Sequence, residues 1–307
     1  MKYCKLHGMK ASRVVMGCMR INAKPLPETE NLLVEALRNN VNTFDLADIY
    51  GSGDCERIFG VAMRDLGVER SSYLLQTKCG IRSIEQGKWF DFSAEHILNS
   101  VDNSLKRLNT DYIDIFLLHR PDTLIEPEEV AEAFERLQGM GKVRAFGVSN
   151  FSANQIKLLE NYGVDVTVNQ VQFSLAHTPL VDAGFYVNMH EDESVTRAGD
   201  TLEYCRLRGI AMQAWSPLQH GFFKGVFLGD YERFPALNKA LAEMAEEKGC
   251  APSTLALAWV LRHPAFKQVI TGTTNVERMK EMCAAADIEL SREEWYRLYM
   301  SNGKVLP

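Results

Sequence analysis

Short apolar runs alternate with longer amphipathic segments along nearly the whole chain. The short runs are rich in β-branched and other apolar residues and predict eight strands, at Val14–Met19, Asn42–Asp45, Tyr73–Gln76, Ile113–Leu118, Arg144–Val148, Val166–Val171, Ile210–Trp215 and Gln268–Ile270. The longer segments carry apolar residues at helical spacing, for example in Glu28–Asn39, Cys55–Leu66, Ala94–Leu108, Glu128–Met140 and Ser152–Asn161. A strand followed by a helix, repeated along a chain, predicts parallel strands joined by crossover helices.

The composition of the strands and the length of the chain favour a closed barrel. Ile113–Leu118 is almost entirely apolar, which is typical of a strand covered on both faces. The chain has 307 residues, and eight strand–helix units in a TIM barrel need about 250. No glycine-rich dinucleotide fingerprint follows a predicted strand, which argues against a Rossmann fold. We therefore expect an α/β protein, a (β/α)8 TIM barrel, with residues 1–307 in a single domain.

Some segments lie outside this minimal barrel. Tyr3–Leu6 and Lys10–Val14 flank His7-Gly8 and predict an N-terminal β-hairpin that plugs the bottom of the barrel. Leu175–Asp200 is long, polar and poorly periodic, so we expect a functional or mobile loop there. The residues after the eighth strand predict extra helices at the C-terminus.

Charge and composition narrow the classes of partner. The formal net charge is -6 and the pI is near 5.7, with acidic and basic residues interspersed, so nucleic acids and anionic membranes are not expected partners. The seven cysteines are scattered and form no C-x-x-C pair, which predicts free thiols in a reducing cytoplasm. No segment resembles an export signal or is long and apolar enough to cross a bilayer. A small-molecule partner is therefore expected.

Polar or aromatic side chains lie at the carboxyl ends of six successive predicted strands, the second to the seventh. In a TIM barrel the carboxyl ends of the strands meet at the active-site mouth. The residues in question are Asp45, Tyr50, Lys78, His119, Ser149, Asn150, Asn169, Gln170, Trp215 and Ser216. A tyrosine hydroxyl is a weak acid, and a neighbouring lysine held charged by a carboxylate would lower its pKa. A histidine could hydrogen-bond a substrate oxygen, so the set predicts a general acid with electrostatic support and no metal ion.

These residues lie in segments that resemble the aldo/keto reductase superfamily over about the whole chain. The matching segments are Asn42–Gly51 (NTFDLADIYG), Leu75–Lys78 (LQTK), Ile113–Pro121 (IDIFLLHRP), Gly147–Phe151 (GVSNF), Asn169-Gln170 and Trp215–Leu218 (WSPL). Further segments, Lys78–Ile81, Leu117–Asp122 and His177–Leu180, are most similar to the bacterial YdhF-like oxidoreductase subgroup. The resemblance implies a monomeric enzyme that reduces an aldehyde or ketone with a nicotinamide cofactor.

The resemblance also implies roles for individual residues. Tyr50 would protonate the carbonyl oxygen, Lys78 with Asp45 would lower the pKa of the tyrosine, and His119 would orient the substrate. Ser149, Asn150 and Gln170 would hold the nicotinamide carboxamide, and Trp215 would stack on the ring. The remaining positions matched to cofactor contacts are Ser216, Leu218, Gly272, Thr273 and Arg278.

The segment after the eighth strand predicts NADPH as the cofactor. Gly272–Asn275 ends that strand and opens a helix, so backbone amides and hydroxyls there could bind a 2′-phosphate, with Arg278 as the cation. The chain departs from many family members here, with Gly272 in place of lysine and Met282 in place of an adenine-binding asparagine. Arg278 could alternatively be an ordinary solvated helix residue.

Several residues keep two interpretations. Many family members have tryptophan after the catalytic histidine, whereas this chain has Arg120. It could face the substrate channel and favour anionic carbonyl compounds, or it could pair with Asp122. His177 could face substrate or fix its loop. Asp45 with Lys78 could be a structural ion pair, and Trp215 could be a core residue.

Two other functions also fit parts of the pattern. One branch of the superfamily consists of cofactor-bound accessory subunits of ion channels, so a redox-sensing subunit with little turnover is an alternative. A barrel hydrolase or aldolase that uses Lys78 as a Schiff-base nucleophile is chemically possible as well. The compact length and the intact tetrad of Asp45, Tyr50, Lys78 and His119 favour the reductase.

Overall fold

Eight parallel strands close into a barrel in the computed structural model, which describes residues 1–85, 87–190, 192–196 and 199–307. Around the barrel, in chain order, the strands are β3 (Val14–Gly17), β4 (Thr43–Asp45), β5 (Leu74–Cys79), β8 (Ile113–Leu118), β9 (Val143–Ser149), β10 (Val166–Gln172), β11 (Ala211–Trp215) and β12 (Phe266–Thr271). Each matches a predicted strand, with ends that differ by a few residues. The predicted TIM barrel is therefore confirmed.

Helices follow the strands and cover the outside of the barrel. Their bounds are α1 (Leu26–Arg38), α2 (Asp54–Asp65), α3 (Ala94–Leu108), α4 (Pro127–Gly139), α5 (Ala153–Asn161), α6 (Pro179–Phe185), α7 (Thr201–Arg208), α8 (Pro235–Glu247), α9 (Pro252–Arg262), α10 (Val276–Cys283) and α11 (Arg292–Met300). Local signals set their starts: the Ser93 hydroxyl accepts a hydrogen bond from the backbone N–H of His96 at the start of α3. None of the described helices is long and apolar enough to span a membrane.

A pair of stacked tryptophans joins the last helix, α11, to α9, one of the helices that surround the barrel. Trp259 on α9 and Trp295 on α11 stack with ring centroids 4.7 Å apart and planes 7° from parallel. Each indole N–H donates to the backbone oxygen of the other residue, at 2.9 and 3.1 Å. Both polar groups are thus satisfied inside an apolar cluster, and α11 is held against α9.

The bottom of the barrel is closed by the N-terminal hairpin, as predicted. β1 (Tyr3–Leu6) pairs antiparallel with β2 (Met9–Ser12). Leu6 and Ala11 pack there against inward residues of the barrel strands, including Ile115 and Leu117. The hairpin therefore covers the amino ends of the strands and leaves the carboxyl ends as the open face.

Two other segments differ from the predictions. The prediction of a poorly periodic loop over Leu175–Asp200 is wrong in part, because α6 forms within it; Glu191, Arg197 and Ala198 lie outside the described residues. A second hairpin, β6 (Ile81–Ile84) with β7 (Gly87–Phe90), was not predicted and follows β5 directly. All seven cysteines are free thiols.

Candidate active site

A cavity of about 1310 Å³ opens at the carboxyl ends of the barrel strands. Twelve of the thirteen predicted site residues line it: Asp45, Tyr50, His119, Ser149, Asn150, Gln170, Trp215, Ser216, Leu218, Gly272, Thr273 and Arg278. The thirteenth, Lys78, is fully buried directly behind Asp45 and Tyr50. His177 is not among the lining residues, and its backbone forms a bridge with Ser174.

Lys78 and Asp45 form a buried ion pair on neighbouring parallel strands. The Lys78 ammonium donates to both Asp45 carboxylate oxygens at 2.8 Å and to the Leu46 backbone oxygen at 2.6 Å. The Tyr50 hydroxyl, 3.4 Å away, is a further hydrogen-bond acceptor for this ammonium. Side chains alternate across a strand, so Gln76 and Lys78 of β5 point into the barrel while Thr77 points outward. Every Lys78 proton thus has an acceptor in the cavity wall.

The electrostatics of Tyr50 correct one prediction. Burial raises the pKa of Tyr50 above its ordinary value, and the Lys78 charge lowers that pKa without cancelling the effect of burial. The Asp45 charge acts on the tyrosine in the raising direction, contrary to the expectation that Asp45 helps to lower it. For Lys78, burial acts to lower the pKa, but Asp45 and Tyr50 outweigh it and the pKa is raised. At neutral pH the pair is therefore a protonated tyrosine beside a charged lysine.

A layer of glutamines inside the barrel supports Asp45, and most of it was not predicted. Gln76 and Gln170 donate to Asp45 Oδ1 at 2.5 and 2.9 Å. Both also donate to the Gln213 side-chain oxygen, and Gln213 in turn donates to Gln76 and to Gln268. Only Gln170 was singled out from sequence. The available signal was a glutamine at an inward position in each of four strands, β5, β10, β11 and β12.

His119 is held in the neutral state. Burial lowers the pKa of its imidazole well below the ordinary value, and the charges of Lys78, Arg120 and Lys88 act in the same direction. Its ring meets the Tyr50 ring edge to face, with centroids 5.7 Å apart. Nδ1 is buried and has no hydrogen-bond partner in the described part of the chain. A neutral imidazole beside the tyrosine can still donate one hydrogen bond to a carbonyl oxygen.

A second group of acidic residues lies behind β5, outside the barrel wall. Glu56 is fully buried and accepts hydrogen bonds from Thr77 at 2.6 Å, Ser104 at 3.2 Å and Arg107 at 2.7 Å. Asp48 lies nearby, and its Oδ1 has no partner among the described residues. Burial and the Glu56 charge raise the pKa of Asp48 to about 7.

The middle of the cavity wall is a chain of hydrogen bonds between predicted cofactor residues. Ser149 donates to the Gln170 backbone oxygen at 2.9 Å, and Asn150 donates to the Ser149 hydroxyl at 2.8 Å. The Trp215 indole N–H donates to Asn150 Oδ1 at 3.1 Å, which fixes the indole beside the amide. Asn169 lies elsewhere: its side chain is buried and donates to the Phe151 backbone oxygen.

Two arginines, Arg20 and Arg278, line the far end of the cavity. Arg20, which was not predicted, reaches across the groove and donates to the Gly272 backbone oxygen at 2.5 Å. A Cβ at position 272 would lie 3.4 Å from the Arg20 guanidinium, so the two residues are in close contact. Asn275 caps α10 by accepting from the Arg278 backbone N–H at 2.9 Å, and Arg278 lines the cavity. Two arginines and a helix N-terminus thus converge here.

Taken together, these residues fit a nicotinamide dinucleotide. An indole and amide groups lie near Tyr50 and His119, and cations lie at the other end of the same cavity. Such a cavity matches a molecule with a flat polar ring at one end and phosphates toward the other. Across the described ranges, no group of three His, Cys, Asp or Glu residues could hold a metal ion.

Comparisons with known proteins agree with this arrangement. The model of the Aldo/keto reductase family matches residues 13–301. The 6-dehydroglucose reductase of Agrobacterium fabrum is 34% identical over 301 residues, which cover 95% of this chain and 94% of that protein. Oxidoreductase YdhF of Escherichia coli is 34% identical and covers 95% and 93% of the two chains. The crystal structure of the thermostable aldo-keto reductase Tm1743 with the inhibitor epalrestat superposes with a TM-score of 0.78 at 26% identity, covering 98% of this chain and 100% of that one.

Proposed function

The chain belongs to the aldo/keto reductase family, whose members reduce carbonyl compounds with nicotinamide cofactors, and from that premise we propose that it is an NADPH-dependent reductase in which Tyr50 is the general acid. The observation that carries the proposal is the position of the Tyr50 hydroxyl. It lies 3.4 Å from the Lys78 ammonium, beside a neutral His119, on the wall of the cavity. This arrangement supports conversion of an aldehyde or ketone to an alcohol.

The side chains divide the work of proton transfer. NADPH, when bound, supplies the hydride that adds to the carbonyl carbon. As negative charge develops on the substrate oxygen, Tyr50 gives that oxygen its proton, and the product is a neutral alcohol. The phenolate left behind is stabilised by Lys78, which Asp45 keeps charged, and water returns the proton. His119 donates a hydrogen bond that orients the carbonyl oxygen toward Tyr50.

Other residues would hold the cofactor in place. Ser149, Asn150 and Gln170 offer hydroxyl and amide groups for the nicotinamide carboxamide, and Trp215 offers a flat face for the ring. Ser216, Leu218 and Thr273 also line the cavity and are positioned to contact the rest of the cofactor. Arg20 and Arg278 supply the positive charge for phosphate groups, in place of the lysine that Gly272 replaces.

The general-acid role is tested with Tyr50→Phe. We expect kcat to fall by about a hundredfold or more, because phenylalanine removes the proton donor, while NADPH affinity by fluorescence titration changes little. Tyr162→Phe, at an exposed tyrosine, is the matched control and should behave as the parent. Near-normal kcat in Tyr50→Phe, with a deuterium isotope effect showing that hydride transfer limits the rate, would contradict the assignment.

Turnover of the parent protein with a set of aldehydes distinguishes the reductase from the two alternative functions. A redox-sensing subunit would bind cofactor tightly but turn over slowly with every aldehyde tested. A Schiff-base mechanism requires a lysine that substrate can reach, whereas Lys78 is fully buried and bonded to both Asp45 oxygens. Borohydride trapping of a substrate on Lys78 would be the result in its favour.

The preference for NADPH is tested with Arg278→Ala. One charge-assisted contact to the 2′-phosphate favours NADPH over NADH by about 1.5–3 kcal/mol, which is about ten- to a hundredfold in affinity. Titration of both cofactors should show that the variant loses NADPH affinity and keeps NADH affinity. Equal affinities in the parent, or equal losses in the variant, would refute a phosphate-specific role. A cytoplasmic location and a monomeric state stay predictions.

A further inference from the structure

Arg120 follows β8 and lines the catalytic end of the cavity. Its guanidinium carbon lies 5.2 Å from the centre of the Trp215 ring and 5.0 Å from the centre of the Phe222 ring. Asp122, the partner considered from sequence, instead accepts a hydrogen bond from the Leu124 backbone N–H at 2.9 Å. No hydrogen bond or ion pair joins Arg120 to any residue that the structure describes. The ion-pair interpretation is therefore not supported.

A half-buried guanidinium without a hydrogen-bond acceptor is an unusual arrangement. Burial removes water from the charge, and an unpaired buried charge is costly in free energy. Contacts with the two aromatic rings offset part of this cost, by about 1–2 kcal/mol in typical cases. The aromatic rings accept no conventional hydrogen bond from the guanidinium, so its five N–H donors remain available for a ligand.

The charges around Arg120 favour an anion. Lys88 of β7 lines the same end of the cavity, and its charge and that of Arg120 both act on His119. Two carboxylates occur among the lining residues, Asp45 and Glu281. Asp45 is already bonded through both oxygens to Lys78. Glu281 lies on α10, at the far end of the cavity where Arg278 is also found. The catalytic end therefore has excess positive charge.

We propose that Arg120 binds an oxyanion on the carbonyl substrate, a carboxylate or a phosphate, so that the physiological substrate is an anionic aldehyde or ketone. Planar guanidinium groups match such oxyanions with two parallel hydrogen bonds. Tyr50 and His119 hold the carbonyl oxygen while Arg120 holds the anionic end, and Lys88 adds longer-range attraction. This inference rests on the proposed reductase function and adds the substrate class to it.

The test compares two aldehydes of nearly the same shape, 4-carboxybenzaldehyde and methyl 4-formylbenzoate, at saturating NADPH. The parent should reduce the acid with kcat/KM about ten- to a hundredfold higher than the ester, the range for a charge-assisted contact. Arg120→Met should bring the two values within about threefold, since it removes the contact. Arg120→Lys should keep part of the preference because it retains the charge without the planar fork.

Matched variants show that the effect is local. Lys88→Met should reduce the preference by a smaller factor, because Lys88 is exposed at the rim. Arg136→Met removes an exposed arginine outside the cavity and should leave the ratio of the two kcat/KM values as in the parent. The same comparison of glyceraldehyde 3-phosphate with glyceraldehyde tests a phosphate in place of the carboxylate.

The outcomes separate this inference from the proposed function. A parent that prefers the anionic member of neither substrate pair, or an Arg120→Met variant that keeps such a preference, overturns the inference and leaves the reductase intact. If neither aldehyde is reduced, the proposed function fails, and binding of benzoate to the NADP+-loaded protein decides the inference instead. Benzoate binding that exceeds benzamide binding and disappears in Arg120→Met supports it; equal binding of the two overturns it.

Discussion

Two buried ion pairs lie on opposite sides of β5, and they have the same chemistry. Inside the barrel Asp45 pairs with Lys78, and outside the barrel wall Glu56 pairs with Arg107 at 2.6 Å. Each carboxylate also accepts two further side-chain hydrogen bonds, Asp45 from glutamines and Glu56 from hydroxyls. The difference is in what each pair adjoins: Lys78 touches the Tyr50 hydroxyl, whereas Arg107 joins α3 to α2.

The comparison shows that burial and pairing do not by themselves mark a functional site. Both pairs withdraw charge from water, and both leave a costly unpaired charge if one partner is removed. Only the inner pair is placed where a change in charge alters the acidity of a group in the cavity. Variants that remove one cation at a time should therefore separate stability from catalysis.

Lys78→Met should have the largest effect. We expect a loss of about a hundredfold or more in kcat, since the Tyr50 phenolate loses its nearest cation. Unfolding free energy should fall by about 3–5 kcal/mol, because Asp45 remains buried without its partner. Any residual activity should show its basic limb at higher pH, as Lys78 acts to lower the pKa of Tyr50. A parent-like pH–rate profile would count against the coupling of the two residues.

Arg107→Met should lose stability but not catalysis. Urea unfolding should show a loss of about 3 kcal/mol, at the lower end for a buried pair because the Arg107 side chain is 29% exposed. At temperatures where the variant stays folded, kcat should lie within about threefold of the parent, since nothing in the cavity changes. A kcat as low as that of Lys78→Met would mean that the outer pair also supports the chemistry.

Asp48→Asn should stabilise the protein, by an amount that depends on pH. The pKa of Asp48 is raised from 3.8 to about 7, so the folded state holds this proton where the unfolded chain has lost it. The parent therefore loses stability as pH rises through that window, and asparagine removes the loss. The unfolding free energy of the variant minus that of the parent should therefore increase by up to about 3 kcal/mol from pH 5 to pH 8.

The control for this prediction is Asp111→Asn, which changes an exposed carboxylate. Its stability should differ from the parent by a similar small amount at both pH values. A difference between Asp48→Asn and the parent that does not change with pH would show that Asp48 does not hold its proton in the folded state.

The positions of most site residues could be predicted because two simple regularities apply to them. Strand periodicity located the barrel strands, and Asp45, His119 and Ser149 each stand where a strand ends. Parallel strands bring those ends together, so the polar residues had to converge at one face. The roles assigned to them came from the resemblance to the family and stay predictions.

Contacts between distant segments could not be predicted in the same way. Arg20 meets Gly272 across 252 positions of sequence, and the contact exists because the barrel closes between β3 and β12. The glutamine layer likewise depends on which strands face one another. The direction of the pKa shift of Tyr50 depends on burial, which the spacing of charged residues does not reveal.

The stacked indoles of Trp259 and Trp295 have a practical consequence for spectroscopy. Two indoles held rigidly in an asymmetric apolar environment should contribute to the near-ultraviolet circular dichroism signal. That signal reports on the docking of α11, far from the ligands. Trp215, by contrast, lines the cavity, so quenching of its emission should report on cofactor binding. One unlabelled sample can therefore show by circular dichroism whether a variant is folded and by tryptophan emission whether it has bound the cofactor.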